Sequence, residues 1–461
     1  MPEHDLDGPP GRAAGWTRPP GGAKTPASRR GRGAHAVEGR MTGTIGYTPP
    51  DFPQGPGGPV RRRQVFYLPG YDPESHKRYR ALFVRELSRY GRRFDLPRRR
   101  VSPARASPDG LVQAWTVEAG RATWETRIDY EVLLWDDLVR QDFRRPLPLS
   151  MLLLTVGILH ALATGKLFRL YALNWKYGNV ILYPFVMTVL LVVLGVFLGL
   201  GLGAGLERGG TGLPALASVG FGLLGGVGAV ILATPLLDRI FLRQLINDWV
   251  FNWQHSNGWR PDYEARLSAL ADHVAARIAE TPADEVMLVG HSSGALTAVE
   301  LAARLLARTG RRDLSLVTLG AGLPLVAVNP RARRVRAEIA ALVESERVVW
   351  ADFQAPQDWM NFPGFNPGRD LALPPRRRTA NPAIRSARFK DILSPEVYAK
   401  ISARPFRMHF QYLMSNDLPG EYDFFALVLG PQRLRERVLA PEIVPARAEI
   451  PAEPDSAHRE I

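Results

Sequence analysis

The stretch VMLVGHSSGALTAVELAARLLA, Val286 to Ala307, decides how this chain is read. A short apolar run leads into Gly290-His291-Ser292-Ser293-Gly294, and an Ala/Leu-rich segment with helical spacing follows. A G-x-S-x-G pentad between a buried strand and a helix forms a sharp turn that thrusts the central serine hydroxyl out of the sheet. Its glycines let backbone segments approach where a Cβ would collide. The pentad alone is a weak signal in a glycine-rich chain. The strand before it and the helix after it give it weight.

Strand and helix patterns alternate on either side. Gln64-Val65-Phe66-Tyr67-Leu68 reads as a strand ending in Pro69-Gly70-Tyr71-Asp72-Pro73, and an amphipathic helix is expected from His76 to Tyr90. Leu111 to Val117 and Ala122 to Ile128 alternate like a hairpin around Glu118-Ala119-Gly120-Arg121, and Tyr130 to Trp135 is a further strand candidate. Beyond the middle of the chain, Tyr263 to Ala279 has helical spacing, while Leu314 to Leu319 and Arg347 to Phe353 read as strands. The alternation predicts an α/β fold with a mostly parallel sheet and helices on both faces.

Residues 64–75 and 285–415 resemble the α/β-hydrolase superfamily of serine esterases, lipases and peptidases, on the pentad and the residue order; no subfamily is reached. The resemblance implies a triad in the chain order Ser, acid, His. Ser292 takes the nucleophile position. Only His409 and His458 follow it, and His458 lies in a charged Pro/Glu-rich tail, so His409 in Arg407-Met408-His409-Phe410 is the expected base. The orienting acid is expected at Asp358, just past the Arg347 to Phe353 strand, with Asp352 inside that strand as the alternative. His291 is read as support for the turn. The resemblance also calls for an oxyanion hole, expected from the N–H of Ser293 and the N–H of Tyr71, with Gly70 allowing close backbone approach. It implies no cofactor and no metal. The function expected is cleavage of an acyl ester, lipidic or soluble, through an acyl-enzyme, with thioesters and amides open. A non-catalytic membrane scaffold or binding protein on the same fold is the alternative.

The middle of the chain is a different material. Val180 to Leu206 and Leu213 to Leu237 are uncharged apolar runs longer than the ~20 residues that a helix needs to cross hydrocarbon. Only Glu207 to Gly212 separates them, which predicts a transmembrane hairpin inserted into the α/β domain. Gly195, Gly199 and Gly203 on one run, and Gly222 and Gly226 on the other, form small-residue faces suited to close contact. A third apolar run, Leu147 to Thr164, carries His160 and is flanked by Arg144, Arg145, Lys166 and Arg169. Strands of one sheet lie both before and after this region, and a sheet cannot be divided across a bilayer. The spans must therefore be even in number, and the third run is expected to lie on the membrane surface. Lys166, Arg169, Lys176, Arg239 and Arg243 gather on the side of the domain halves. The positive-inside rule makes that side cytoplasmic, which fits a multi-pass protein of a bacterial inner membrane.

The expected organisation is a disordered Arg/Pro/Gly-rich segment (1–63), a first α/β part (64–145), the membrane insertion (146–245), a second α/β part (246–440) and a disordered tail (441–461). Met41 offers an alternative start. The chain has 461 residues, 59 Lys+Arg against 45 Asp+Glu and a net charge of +14. That excess suits an anionic lipid surface, and since no nucleic-acid-binding motif accompanies it, no nucleic-acid partner is expected. The chain lacks cysteine, which excludes disulfides, thiol catalysis and Cys-ligated metals.

Overall fold

The computed structural model describes residues 58–210, 215–239, 241–309, 313–373 and 381–439. Its strands are β1 (Arg62–Leu68), β2 (Arg98–Val101), β3 (Arg105–Ala106), β4 (Val112–Gly120), β5 (Glu125–Leu133), β6 (Glu285–His291), β7 (Leu314–Leu319), β8 (Val348–Gln354) and β9 (Ala383–Ser386). They form one sheet in the order β2-β4-β5-β1-β6-β7-β8-β9, with β3 paired to β4. β5, β1, β6, β7, β8 and β9 pair in parallel, and the β2, β3 and β4 edge is antiparallel.

β6 stands at the centre of the parallel part and is buried along its whole length, as a strand covered on both faces must be. Its side chains alternate between two cores. Val286 and Leu288 join the core that includes the Ser293–Arg308 helix, while Met287 and Val289 join the core under the Ser75–Arg93 helix. The sheet thus carries helices on both faces.

Two of its neighbours come from opposite sides of a long insertion. β1 pairs with β5 on one edge and with β6 on the other, and the apolar helices lie in the chain between β5 and β6. The helices Trp175–Arg208 and Ala215–Arg239 pack on each other as a hairpin. Both are long and apolar enough to cross a membrane, with mean hydropathy of 2.7 and 2.1 and only 17% of each apolar window buried. A Cβ at Gly195 would overlap the Gly225 carbonyl, and one at Gly199 the Phe221 carbonyl. On the second helix the backbone at Phe221 and Gly222 faces Gly199 and Gly225 faces Gly195, while Gly222 and Gly226 also meet side chains of Leu200 and Val196. At 34 residues the first helix is about 50 Å long, well beyond what hydrocarbon requires. Its extra turns are used on the domain: Tyr177, Gly178 and Ile181 are buried.

The third apolar run forms a separate helix, Leu147–Ala163, turned by 103° from the short Asp136–Phe143 helix before it. Leu147, Met151, Leu154, Ile158 and Ala161 form a buried stripe, with Gly157 against Trp249 and Trp253 of the Leu242–Ser256 helix. Leu152 and Leu159, on the other side, are 58% and 56% exposed, so this helix has two apolar faces and the domain covers one.

Several boundaries differ from the sequence reading. The segments read as Ala122 to Ile128 and Tyr130 to Trp135 are one strand, β5, and the hairpin turn lies after Gly120 rather than around it. β2, β3 and β9 were not expected. The first strand starts at Arg62 because Arg63, counted with the disordered segment, is fully buried. It bonds Glu285 Oε2 (2.7 Å) and the carbonyls of Val428, Gly430 and Gln432, so the C-terminal segment closes over β1 and β6. Residues 1–57 and 440–461, and the expectations of disorder there, lie outside the described residues.

Candidate active site

Ser292 sits at the junction of β6 and the Ser293–Arg308 helix with φ +60° and ψ −127°. A non-glycine residue held there stores about 1–3 kcal/mol of strain. The pentad glycines make the geometry possible: a Cβ at Gly290 would overlap the Gly294 carbonyl, and one at Gly294 the carbonyls of Leu68 and Pro69. Ser292 N–H donates to the Leu319 carbonyl at 3.0 Å, which pins the turn to the end of β7. The hydroxyl is half-buried on a pocket with about 430 Å3 of free space, partly open to solvent.

His409 comes from the end of the short Pro405–His409 helix and lines the same pocket. Gly320, at φ +54° after β7, leaves room for its ring; a Cβ there would stand 3.2 Å from Cε1. His409 Nδ1 donates to Asp358 Oδ2 at 2.7 Å. The carboxylate can only accept, so the neutral ring carries its proton on Nδ1 and presents a bare Nε2. That nitrogen is buried and has no hydrogen-bond partner among the described residues. The expected bond between Ser292 Oγ and the ring is thus not formed in this structure; such contacts are often long before a ligand fills a site.

Asp358 is fully buried on the loop after β8. Its Oδ1 accepts the Met360 N–H at 2.8 Å, a local turn bond that aims Oδ2 at the imidazole. Asp352 is placed elsewhere. It accepts from Thr318 Oγ1 (2.7 Å) and Gln354 Nε2 (2.8 Å), and burial pushes its carboxyl up to about 6. His291 also borders the pocket, and its Nε2 donates to the His409 carbonyl at 3.0 Å. Burial, and then the neighbouring His409, hold its pKa well below the usual histidine value, so it stays neutral.

The loop after β1 lies directly against the serine. A Cβ at Gly70 would come within 3.2 Å of Ser292 Cβ and 3.7 Å of Ser292 Oγ, so only glycine fits comfortably. Tyr71 turns its ring away, with its hydroxyl on Asp142 (2.9 Å) and its carbonyl held by Gln244 Nε2 (2.8 Å). Tyr71 lines the pocket. Ser293 is the first helical residue, so its N–H has no acceptor within the helix.

Both ends of the hairpin meet this site. Asn174 Nδ2, at the cap of the first long helix, donates to the Asn361 carbonyl at 2.7 Å, and Tyr177 packs on Phe362 with centroids 4.7 Å apart. Phe241, past the second helix, stacks at 4.4 Å on Phe406, which lines the pocket.

The sequence reading missed Asp248, on the Leu242–Ser256 helix. It lines the pocket and accepts from Ser293 Oγ at 2.9 Å. A lone aspartate in an amphipathic helix gives no signal; only the fold carries it to Ser293. One group, His255, Glu264 and Glu300, has ligand atoms within 4.8 Å of one another. There Arg304 bonds Glu264 (2.9 Å) and Arg334 bonds Glu300 (3.2 Å), so arginines supply the countercharge that a cation would. Comparison with family models, with curated proteins and with solved structures finds no match for this chain.

Proposed function

We propose that this protein is a membrane-anchored serine hydrolase of the α/β-hydrolase type that cleaves acyl esters. One observation carries the reading: His409 bears its Nδ1 proton on Asp358 and turns a bare, buried Nε2 into the pocket that the strained Ser292 also lines. In this reading Ser292 Oγ attacks the ester carbonyl as Nε2 takes its proton. The tetrahedral oxyanion is received by the N–H groups of Ser293 and Tyr71, and Nε2 returns the proton to the departing alcohol. Water, deprotonated by the same nitrogen, then attacks the acyl-enzyme and frees the acid and Ser292.

The two long helices form the anchor, with both domain halves on the cytoplasmic side. The uncovered apolar face of Leu147–Ala163 lies along the membrane surface. The test is labelling of the full chain by a fluorophosphonate, which reacts with activated serines, together with turnover of acyl esters of graded chain length. Wild-type labelling and turnover, both lost in Ser292→Ala, are expected. A folded wild type that neither labels nor turns over any ester refutes the reading and leaves the non-catalytic scaffold.

A further inference from the structure

Asp248 is an acidic group that the proposed reaction does not use, yet it stands in the reaction's pocket. It projects from the Leu242–Ser256 helix, which follows the hairpin directly, and its Oδ1 accepts from Ser293 Oγ (2.9 Å) and Asn252 Nδ2 (3.2 Å). Among the described residues, no lysine or arginine lines the pocket and no cation forms an ion pair with Asp248. The groups that act on it electrostatically are the His409 imidazole and the neutral phenols of Tyr71 and Tyr177.

Charges on the neighbouring elements are engaged elsewhere. Asp142 is held by Arg145 and by Arg260 (2.8 Å), His160 by Arg331 (3.0 Å), and Arg243 by backbone carbonyls. Lys166 lies 5.2 Å over the Trp249 ring. Asp72, the other acid at the pocket wall, is matched by Arg78 at 3.1 Å. Asp248 is thus a negative charge without a counter-ion among the described residues, beside the serine turn and lining the same pocket as His409, whose buried Nε2 has no hydrogen-bond partner there.

We infer that Asp248 is a charge filter. It admits esters whose groups next to the reacting carbonyl are neutral and hydroxyl-bearing or cationic, and it repels those with a phosphate, sulfonate or carboxylate there. The inference rests on the proposed hydrolase reading. A hydroxyl or ammonium group can donate to the carboxylate, whereas an anion brought into the same low-dielectric pocket meets a like charge with no countercharge in the lining. Burial pushes the Asp248 carboxyl up to about 6, so the filter is charged at neutral pH and discharged in mild acid.

The experiment compares three fluorophosphonate probes with one chain length and, near phosphorus, a trimethylammonium, a hydroxyl or a sulfonate group. Labelling rates of Ser292 are measured on the full chain in detergent, with Ser292→Ala as the blank. The sulfonate probe should label wild type about tenfold more slowly than the other two at pH 8. That ratio should shrink towards one at pH 5, and at pH 8 in Asp248→Asn, which keeps the Ser293 hydrogen bond. Asp248→Glu should retain it. The pH arm needs no variant, and ratios cancel any effect of acid on the serine that all probes share. Equal labelling by all three probes at pH 8, or discrimination that survives in Asp248→Asn and at pH 5, overturns the filter while leaving the serine as nucleophile. A wild type that no probe labels overturns the hydrolase reading, and the filter with it.

Discussion

Asp358→Asn is the sharpest perturbation that the site offers, because it changes one atom and should reverse one proton. Asp358 uses Oδ1 on the Met360 N–H and Oδ2 on His409 Nδ1, at 2.8 and 2.7 Å. An asparagine would keep its oxygen on the Met360 N–H, since an NH2 group there would face a donor. Its NH2 then points at Nδ1 and forces that nitrogen to accept. The imidazole proton moves to Nε2, the atom that receives the serine proton in the proposed reaction. Converting a tautomer-fixing carboxylate to an amide costs roughly 10^4 in turnover, equivalent to about 5.5 kcal/mol of transition-state stabilisation. The loss should fall on kcat with KM little changed, and fluorophosphonate labelling should slow in parallel, because the probe needs the same proton transfer. Asp352→Asn is the control. That carboxyl touches Thr318 and Gln354, so activity should stay within a few-fold of wild type. Ester turnover, with thermal unfolding to verify the fold, decides the matter. An Asp358→Asn protein with more than a tenth of wild-type kcat, or an Asp352→Asn protein that loses the larger share, would refute the assignment.

Three further outcomes are expected. Arg63→Met leaves Glu285 buried without its partner and should cost about 3–5 kcal/mol of stability, read as a fall in Tm; an unchanged Tm would show that the buried pair does not hold the C-terminal segment. Asp352 binds its proton more tightly in the folded chain (about 6) than in the unfolded one (about 3.9), so its contribution to stability is full below pH 4 and is lost as pH rises to about 6. The Tm of wild type relative to Asp352→Asn should therefore drop across that window, and a flat difference would contradict the burial argument. Because the chain has no cysteine, Gly209→Cys and Ser402→Cys each give a single thiol. An impermeant maleimide should modify the first in intact cells and the second only after lysis; equal access would overturn the two-span topology.

What could be read from the sequence was what a local pattern carries. β6, the turn at Ser292 and the following helix share one stretch whose apolar run, glycines and spacing agree. The hairpin was legible because uncharged runs of that length have few other uses. His409 could be reached because only two histidines follow Ser292, and Asp358 because it lies just past a readable strand. β2 and β3, with the sequences RRRV and RA, have no apolar face to betray them. They are strands only because β4 offers an edge. Arg63 read as part of an arginine-rich segment, since nothing local says that Glu285, 222 residues away, will meet it. Asp248 was invisible for the same reason: its meaning comes from a neighbour 45 residues further on.

The order in which the strands leave the ribosome sets a problem of timing. β1 needs β6 on one edge, but about 150 residues, including both long apolar helices, are synthesised between the end of β5 and the start of β6. At about 5–20 residues per second, β1 waits roughly 8–30 s after β5 is complete with that edge unpaired. An open strand such as VFYL is a template for pairing with another nascent chain. The long helices emerge within this interval, so insertion of the hairpin would fasten the half-built sheet to one spot on the membrane before its complement arrives. Later strands of the same polypeptide are then delivered beside that edge, ahead of any competitor diffusing from elsewhere. A chain whose hairpin is deleted or slow to insert would be expected to aggregate during synthesis through β1, even if the finished domain could stand without its anchor.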